Sequence, residues 1–240
     1  MKRNIKELKR IARGNLEGNY IGLIQAFMIC NLIVSLIETP FSIMTNDDGF
    51  SMQNIIYIIA ITIITIASVV FTVGQYCLHL RIARTGKLHL VELFYPARYD
   101  ANRLIIAEAI LFIIRLIGLS PIIGAFVILY LNNSVNMYLV ALGLIVLGGI
   151  LTVFIEITFG MTYFALIDGE ELSVKEAFKV ALNLMKNNKA RFFYLHLSFI
   201  GMYLLAAITF GIGILWVQPY VMQTITLFYL DIKGEPIGSP

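Results

Sequence analysis

The sequence predicts an all-α polytopic membrane protein, with six transmembrane helices arranged as three repeats of a cytoplasmic amphipathic helix followed by a transmembrane hairpin. Three observations predict it. The first is composition: 59% of the 240 residues are hydrophobic and only 14% are charged, where soluble domains carry about a quarter charged residues. With a mean hydropathy of +0.83, one soluble core cannot hide this much apolar surface, and a chain so rich in Ile, Leu and Phe does not stay disordered. The second is that the apolar residues fall in long runs, and the third is that Lys and Arg keep to alternate connections between those runs.

A helix needs about 20 apolar residues to cross about 30 Å of hydrocarbon. Six runs meet or approach that length, at 21–44, 52–80, 104–131, 137–167, 193–210 and 214–230. Gly211-Ile212-Gly213 divides the last two and predicts a tight turn there. Lys2, Arg3, Lys6, Lys9, Arg10 and Arg13 precede the first run, and Arg81, Arg84, Lys87, Arg98 and Arg103 separate the second from the third. Lys175, Lys179, Lys186, Lys189 and Arg191 separate the fourth from the fifth, Lys233 follows the sixth, and Arg115 alone lies inside a run. The connections around Asp47, Asn133 and Gly211 hold no Lys or Arg. The positive-inside rule then predicts that both termini are cytoplasmic. The basic amino terminus runs into a long helix without a short apolar core and small-residue cleavage site, so no removable signal is expected. Cys30 and Cys77 both fall in apolar runs, which predicts buried thiols.

The connections themselves read as helices. Ser173-Val174-Lys175-Glu176 is a capping box. Val174, Ala177, Phe178, Ala181, Leu182 and Met185 then share one helical face, with Lys175, Lys179 and Lys186 elsewhere around the wheel, as in a helix lying at a membrane surface. Asn4-Ile5-Lys6-Glu7 repeats the cap, and Leu88 to Phe94 aligns with Leu172 to Phe178. The repeats are therefore drawn at 1–80, 81–167 and 168–231 of a single membrane domain, with a short cytoplasmic tail at 232–240.

Charges inside a span are costly unless paired, and so mark candidate sites. Arg115 and Glu156 stand at similar depth on successive antiparallel spans, which predicts an ion pair; Glu108, seven residues before Arg115, lies on nearly the same face about 10 Å along the axis. The three residues read either as a lock between helices or as a ligand site in which Arg115 meets an anion. Pro121, after Gly118-Leu119-Ser120, predicts a kink just beyond Arg115. Trp216 and Tyr220 suit an outer aromatic belt, and Phe192, Phe193, Tyr194 and Tyr229 an inner one.

His79 and His196 near the cytoplasmic ends read as interfacial imidazoles, and three scattered histidines predict no metal site. The sequence holds no nucleophile elbow, phosphate-binding loop, His-Glu-x-x-His or Cys-x-x-Cys. No cofactor, no catalytic residue and no nucleic-acid partner is therefore expected. The expected partners are anionic lipid headgroups at the cytoplasmic face and a membrane protein. An accessory or scaffold role leads, a small transporter or lipid-handling permease built on Arg115, Glu156 and Glu108 follows, and an intramembrane enzyme acting on lipid headgroups is third.

The carboxy-terminal third adds a resemblance. Asn183-Leu184-Met185-Lys186, Arg191-Phe192-Phe193-Tyr194-Leu195-His196 and Thr209 to Tyr220, with Ala12-Arg13-Gly14-Asn15-Leu16 at the other end, resemble the bacterial domain of unknown function 975 family. Met202 stands where that family often has Trp. The resemblance implies a bacterial plasma-membrane protein and a distant likeness to the membrane domain of glycerophosphodiester phosphodiesterases. It supplies no catalytic residues.

Overall fold

The computed structural model describes residues 2–45, 51–99, 101–131, 134–169 and 171–237, so the connections expected around Asp47 and Asn133 lie largely outside the described residues. Helix α1 (Ile5–Leu16) buries Ile5, Leu8, Ile11, Ala12 and Leu16, which recur at helical spacing, and exposes Lys6, Arg10 and Arg13. Its cap is simpler than a capping box: Asn4 accepts from the Lys6 backbone N–H, while Glu7 turns to Arg3 at 3.4 Å. Helix α2 (Tyr20–Ile43) leads to α3 (Met52–Ala67) and α4 (Val69–Thr85), which form one helical run interrupted at Ser68 and closed by Gly86 at φ +72°.

The second unit opens differently from the sequence expectation. Leu90–Phe94 is a short 3-10 helix followed by α5 (Tyr95–Tyr99), and His89 makes no capping bond. An imidazole is a poor substitute for the Ser, Thr, Asp or Asn that caps well, and Pro96 brings no N–H to the next turn. Helix α6 (Ala101–Leu131) then pairs with α7 (Val135–Phe159), which continues through a break at Gly160 and Met161 into α8 (Thr162–Asp168).

In the third unit, α9 (Val174–Met185) carries the full capping box, with Ser173 and Glu176 bonding reciprocally. The hydroxyl of Ser173 holds the exposed Glu176 carboxyl below its ordinary value, and its backbone N–H adds to the effect. Helices α10 (Lys189–Leu197), α11 (Ile200–Ile208) and α12 (Ile214–Lys233) complete the chain. A turn separates α11 from α12, as the glycines predict, with Phe210 and Gly211 both at positive φ.

Five helical runs among the described residues are long and apolar enough to cross a membrane: Tyr20–Ile43, Met52–Thr85, Ala101–Leu131, Val135–Asp168 and Lys189–Ile208. The chain is thus an all-helical, multi-pass membrane protein. Helix α12 does not qualify, because Gln218, Gln223, Thr224, Thr226 and Asp231 interrupt it. The run expected as a sixth span forms the centre of the packed core. Every residue from Pro219 to Leu230 is buried.

Helix α1 lies antiparallel along α12, from Arg3, whose N–H donates to Asp231 at 3.1 Å, to Arg13, whose Nε donates to the Tyr220 hydroxyl at 3.0 Å. Phe164 stacks on Tyr229 and Phe192 tilts against Phe228, so α8 and α10 cover other sides. On the α4 side, His79 Nδ1 meets Gln223 Oε1 at 2.7 Å, both groups buried. The imidazole expected at an interface is therefore a core residue. The aromatic belts also divide: Trp216, Phe193 and Tyr194 are exposed, whereas Tyr220, Phe192 and Tyr229 are buried.

The long runs outreach a bilayer. At 1.5 Å per residue, the 34 residues of Met52–Thr85 extend about 51 Å and the 31 of Ala101–Leu131 about 46 Å. Burial marks the surplus: α3 has no buried residue, while α4 buries Val69, Val73, Gly74 and most of its length to Ala83. At Gly74 the Leu93 carbonyl lies where a Cβ would be, so only glycine admits the 3-10 helix there. We call this packed half the basic end and the opposite half, toward Ile43, Met52, Leu131 and Val135, the far end.

Candidate functional site

The charged residues that the sequence singles out converge where the spans break. Arg115 on α6 donates through Nε to Glu156 Oε1 of α7 at 2.8 Å, and through Nη1 to Glu108 Oε1 one to two turns back on its own helix, also at 2.8 Å. The seven-residue spacing is bridged because Arg and Glu are both long and lie on one face. The guanidinium thus holds both carboxylates.

Tyr163, on α8, closes the cluster by donating its hydroxyl to Glu108 Oε2. Sequence reading missed it. Its signal was the spacing from Glu156, which places both residues on one face of the α7–α8 run. The Glu108 side chain is 8% exposed, Arg115 28% and Glu156 53%, so the inner pair is the better desolvated.

A cavity of about 300 Å³ adjoins the cluster, lined by Ser68, Thr72, Tyr76, Glu108, Arg115 and Glu156, among others. Counted from the far end, Arg115 lies about 24 Å from Leu131 and Glu156 about 32 Å from Val135 along their helices. With Leu131 and Val135 placed at the far border of a hydrocarbon layer about 30 Å thick, the cluster would lie near the basic-end border and not at the centre.

Pro121 leaves α6 unbroken from Ala101 to Leu131. Proline cannot donate to the carbonyl four residues back, that of Ile117, and the Ser120 hydroxyl donates to that carbonyl instead, at 2.8 Å. The carbonyl that Pro121 leaves open is therefore hydrogen-bonded within the helix. Beside it, Gly118 approaches Ile155 and Gly148 approaches Ile122 too closely for a Cβ, which lets α6 and α7 pack at short range.

A second polar centre stands at the basic end. Arg84 donates to both oxygens of Asp168, at 2.9 and 2.8 Å, and to Glu235 at 3.0 Å. Lys233 reaches Asp168 at 2.8 Å and Glu235 at 2.5 Å, and the Tyr229 hydroxyl donates to Asp168 at 2.9 Å. Burial alone would raise the Glu235 carboxyl, but its hydrogen bonds from Lys233 and Arg84 hold it below the ordinary value.

Arg191 pairs with the buried Asp231 at 2.6 Å and also donates to the Arg3 carbonyl, tying both terminal segments to α10. Arg103 donates to the carbonyls of Leu166, Gly169 and Leu172 at 2.6, 3.0 and 2.9 Å, satisfying the acceptors that the end of α8 leaves open. A cavity of about 890 Å³ opens here, lined by Arg81, Arg84, Glu92, Asp168, Glu171 and neighbouring residues. Its lining mixes both signs of charge, with Arg81 and Glu92 3.8 Å apart.

Among the described residues, no three His, Cys, Asp or Glu side chains are grouped so as to hold a metal ion, and Cys30 and Cys77 are buried and not joined in a disulfide. No curated protein and no solved structure matches the chain. One family model does, described as a protein of unknown function (DUF975), and it matches residues 1–235. With the match running over nearly its whole length, the chain belongs to the DUF975 family.

Proposed function

We propose that this protein is a non-enzymatic accessory or scaffold protein of the bacterial plasma membrane that holds anionic lipid, and through it steadies a membrane protein partner, at a basic cytoplasmic end. The observation that carries this reading is the commitment of Arg115. Its guanidinium is clasped by Glu108 and Glu156, so the intramembrane cluster serves as a lock between α6, α7 and α8 instead of an anion site. Cations that face outward include Lys6 and Arg10 on α1, Lys87 and Arg98 before α6, and Lys175, Lys179 and Lys186 on and just beyond α9. Juxtamembrane cations of this kind attract anionic lipid, each by about 1 kcal/mol. A helix with one buried apolar face precedes a helical hairpin in the first and third units, and a short 3-10 helix takes that place in the second, which supports reading 1–80, 81–167 and 168–231 as three units of one membrane domain.

The test is thermal unfolding of the purified protein in nanodiscs of anionic and of zwitterionic lipid. The expected result is a higher midpoint in anionic lipid, with the difference abolished by combining Lys6→Glu, Arg10→Glu and Lys179→Glu. An unchanged difference in that variant would remove the basis of the proposal.

The transporter reading keeps one specific support: the cavity beside the cluster and the half-exposed Glu156. Two carboxylates share one guanidinium there, so such a site would favour a cation or a proton over an anion. Cation-dependent flux into liposomes that disappears in Glu156→Gln would establish it.

A further inference from the structure

The hairpin formed by α10, α11 and α12 has a tip that the function above leaves unused. Phe210 stands there at φ +52° beside Gly211 at +85°. A non-glycine residue in the left-handed region is strained, yet Phe210 is 99% exposed, with Ile208, Ile212 and Trp216 exposed around it. An apolar aromatic tip held outside the fold in this way is stable in an apolar surrounding and not in water.

If the hairpin crossed the bilayer, the tip would lie at the far end, beside Leu131 and Val135. Its contacts are at the basic end. Just past the turn, the Trp216 carbonyl accepts from the Tyr20 hydroxyl at 2.6 Å. Tyr20 opens α2 next to Asn19, whose side chain donates at 3.2 Å to the carbonyl of Gly86, immediately after α4. The start of the hairpin is at the basic side too: Lys189 lies 4.4 Å from the Phe154 ring centroid, and Gly160 leaves room for Phe192, both near the end of α7. A helix whose two ends both lie near the same border of the hydrocarbon runs along that border.

Helix α1 gives an independent reason. Lys9 donates at 2.8 Å to the Ser198 carbonyl, at the break between α10 and α11, and Arg13 bonds Tyr220. Were α10 and α11 to span, these cations and the exposed Arg10 between them would be carried toward the middle of the hydrocarbon, where charge is least tolerated. At a membrane surface the same arrangement places cations among headgroups and an apolar face among acyl chains.

We propose that the α10–α12 hairpin is monotopic: it lies in the leaflet at the basic end, with Phe210 and its apolar neighbours inserted among lipid, and the chain crosses the bilayer four times, through α2, α3–α4, α6 and α7. Lys189–Ile208 is apolar enough to span by composition because its outer face meets lipid along its length. The proposal concerns topology and stands apart from what the basic end binds.

The experiment attaches the fluorophore NBD, in detergent, to single cysteines at Phe210→Cys or Ile212→Cys in a chain carrying Cys30→Ala and Cys77→Ala. Reference labels are placed at Lys175→Cys, at the basic end, and at Ser134→Cys, at the far end. The proteins are reconstituted into sealed vesicles in which the two references are reduced by external dithionite to different extents. The labels at 210 and 212 are expected to be reduced to the extent of the Lys175 label. Reduction of either to the extent of the Ser134 label overturns the proposal.

Discussion

The two ends of this molecule are built on opposite principles from the same residue types. At the far end, α3 buries nothing and presents Ile55, Ile56, Ile59 and Ile63 outward, and Leu139, Leu142, Val146 and Ile150 of α7 do the same. At the basic end, α12 is wrapped by α1, α2, α4, α8 and α10, and Leu227, Phe228, Tyr229 and Leu230 are sealed inside. Lipid finishes the first region and protein finishes the second. The consequence is that stability is concentrated at the basic end, where side chains interlock, while the far end depends on length and hydropathy.

The sharpest way to break the contrast is a matched pair of truncations read by chemical unfolding in micelles. Phe228→Ala empties a site enclosed by Phe192 and Arg191, and is expected to cost about 3–5 kcal/mol. Ile59→Ala on the lipid-facing side of α3 is expected to stay within about 1 kcal/mol. Comparable losses would mean that the two ends are equally packed. The Arg115 clasp sharpens the same comparison, because one of its arms is enclosed and the other open. Glu108→Gln, on the enclosed arm, is expected to cost about 3 kcal/mol, and Glu156→Gln, on the open arm, about 1 kcal/mol or less. The same unfolding assay checks the order of the two.

Smaller effects belong to the surface of the basic end. Ser173→Ala removes the cap of α9 and is expected to cost about 1 kcal/mol, visible as fraying of 173–177 in hydrogen exchange. Glu235 supplies the pH-dependent increment. Its carboxyl releases its proton more readily in the folded chain than in the unfolded one. The bonds to Lys233 and Arg84 therefore contribute in full above the ordinary carboxylate range and fade as the pH falls below it. Release of the terminal segment on acidification, followed by hydrogen exchange at 231–237, is expected to be blunted in Glu235→Gln.

What the sequence made legible follows from this contrast. Runs that face lipid announce themselves by length, and the boundaries of α2, of α6 and of the α7–α8 run fall close to the apolar runs. The Ser173 cap was legible because its chemistry is local. Arg115, Glu156 and Glu108 were legible as costly charges, but their sharing of one guanidinium was not, since it depends on rotamers and on the crossing of α6 and α7. The fate of 214–230 was hidden, because an apolar run reads the same whether lipid or protein covers it. Its glutamines and threonines were the available sign that protein does. The clasp of Arg84, Asp168, Lys233 and Glu235 joins residues far apart in the chain and left no local pattern to find.

On the proposed reading, this protein meets its ligand at the basic end and not at the Arg115 cluster. Native mass spectrometry of protein released with its surrounding lipid tests it most directly. Anionic lipid is expected to be retained by the wild type and by Arg115→Leu, and lost when Lys6, Arg10 and Lys179 are all reversed to Glu. Lipid or a small ion retained by the reversed variant but lost from a folded Arg115→Leu protein would contradict it.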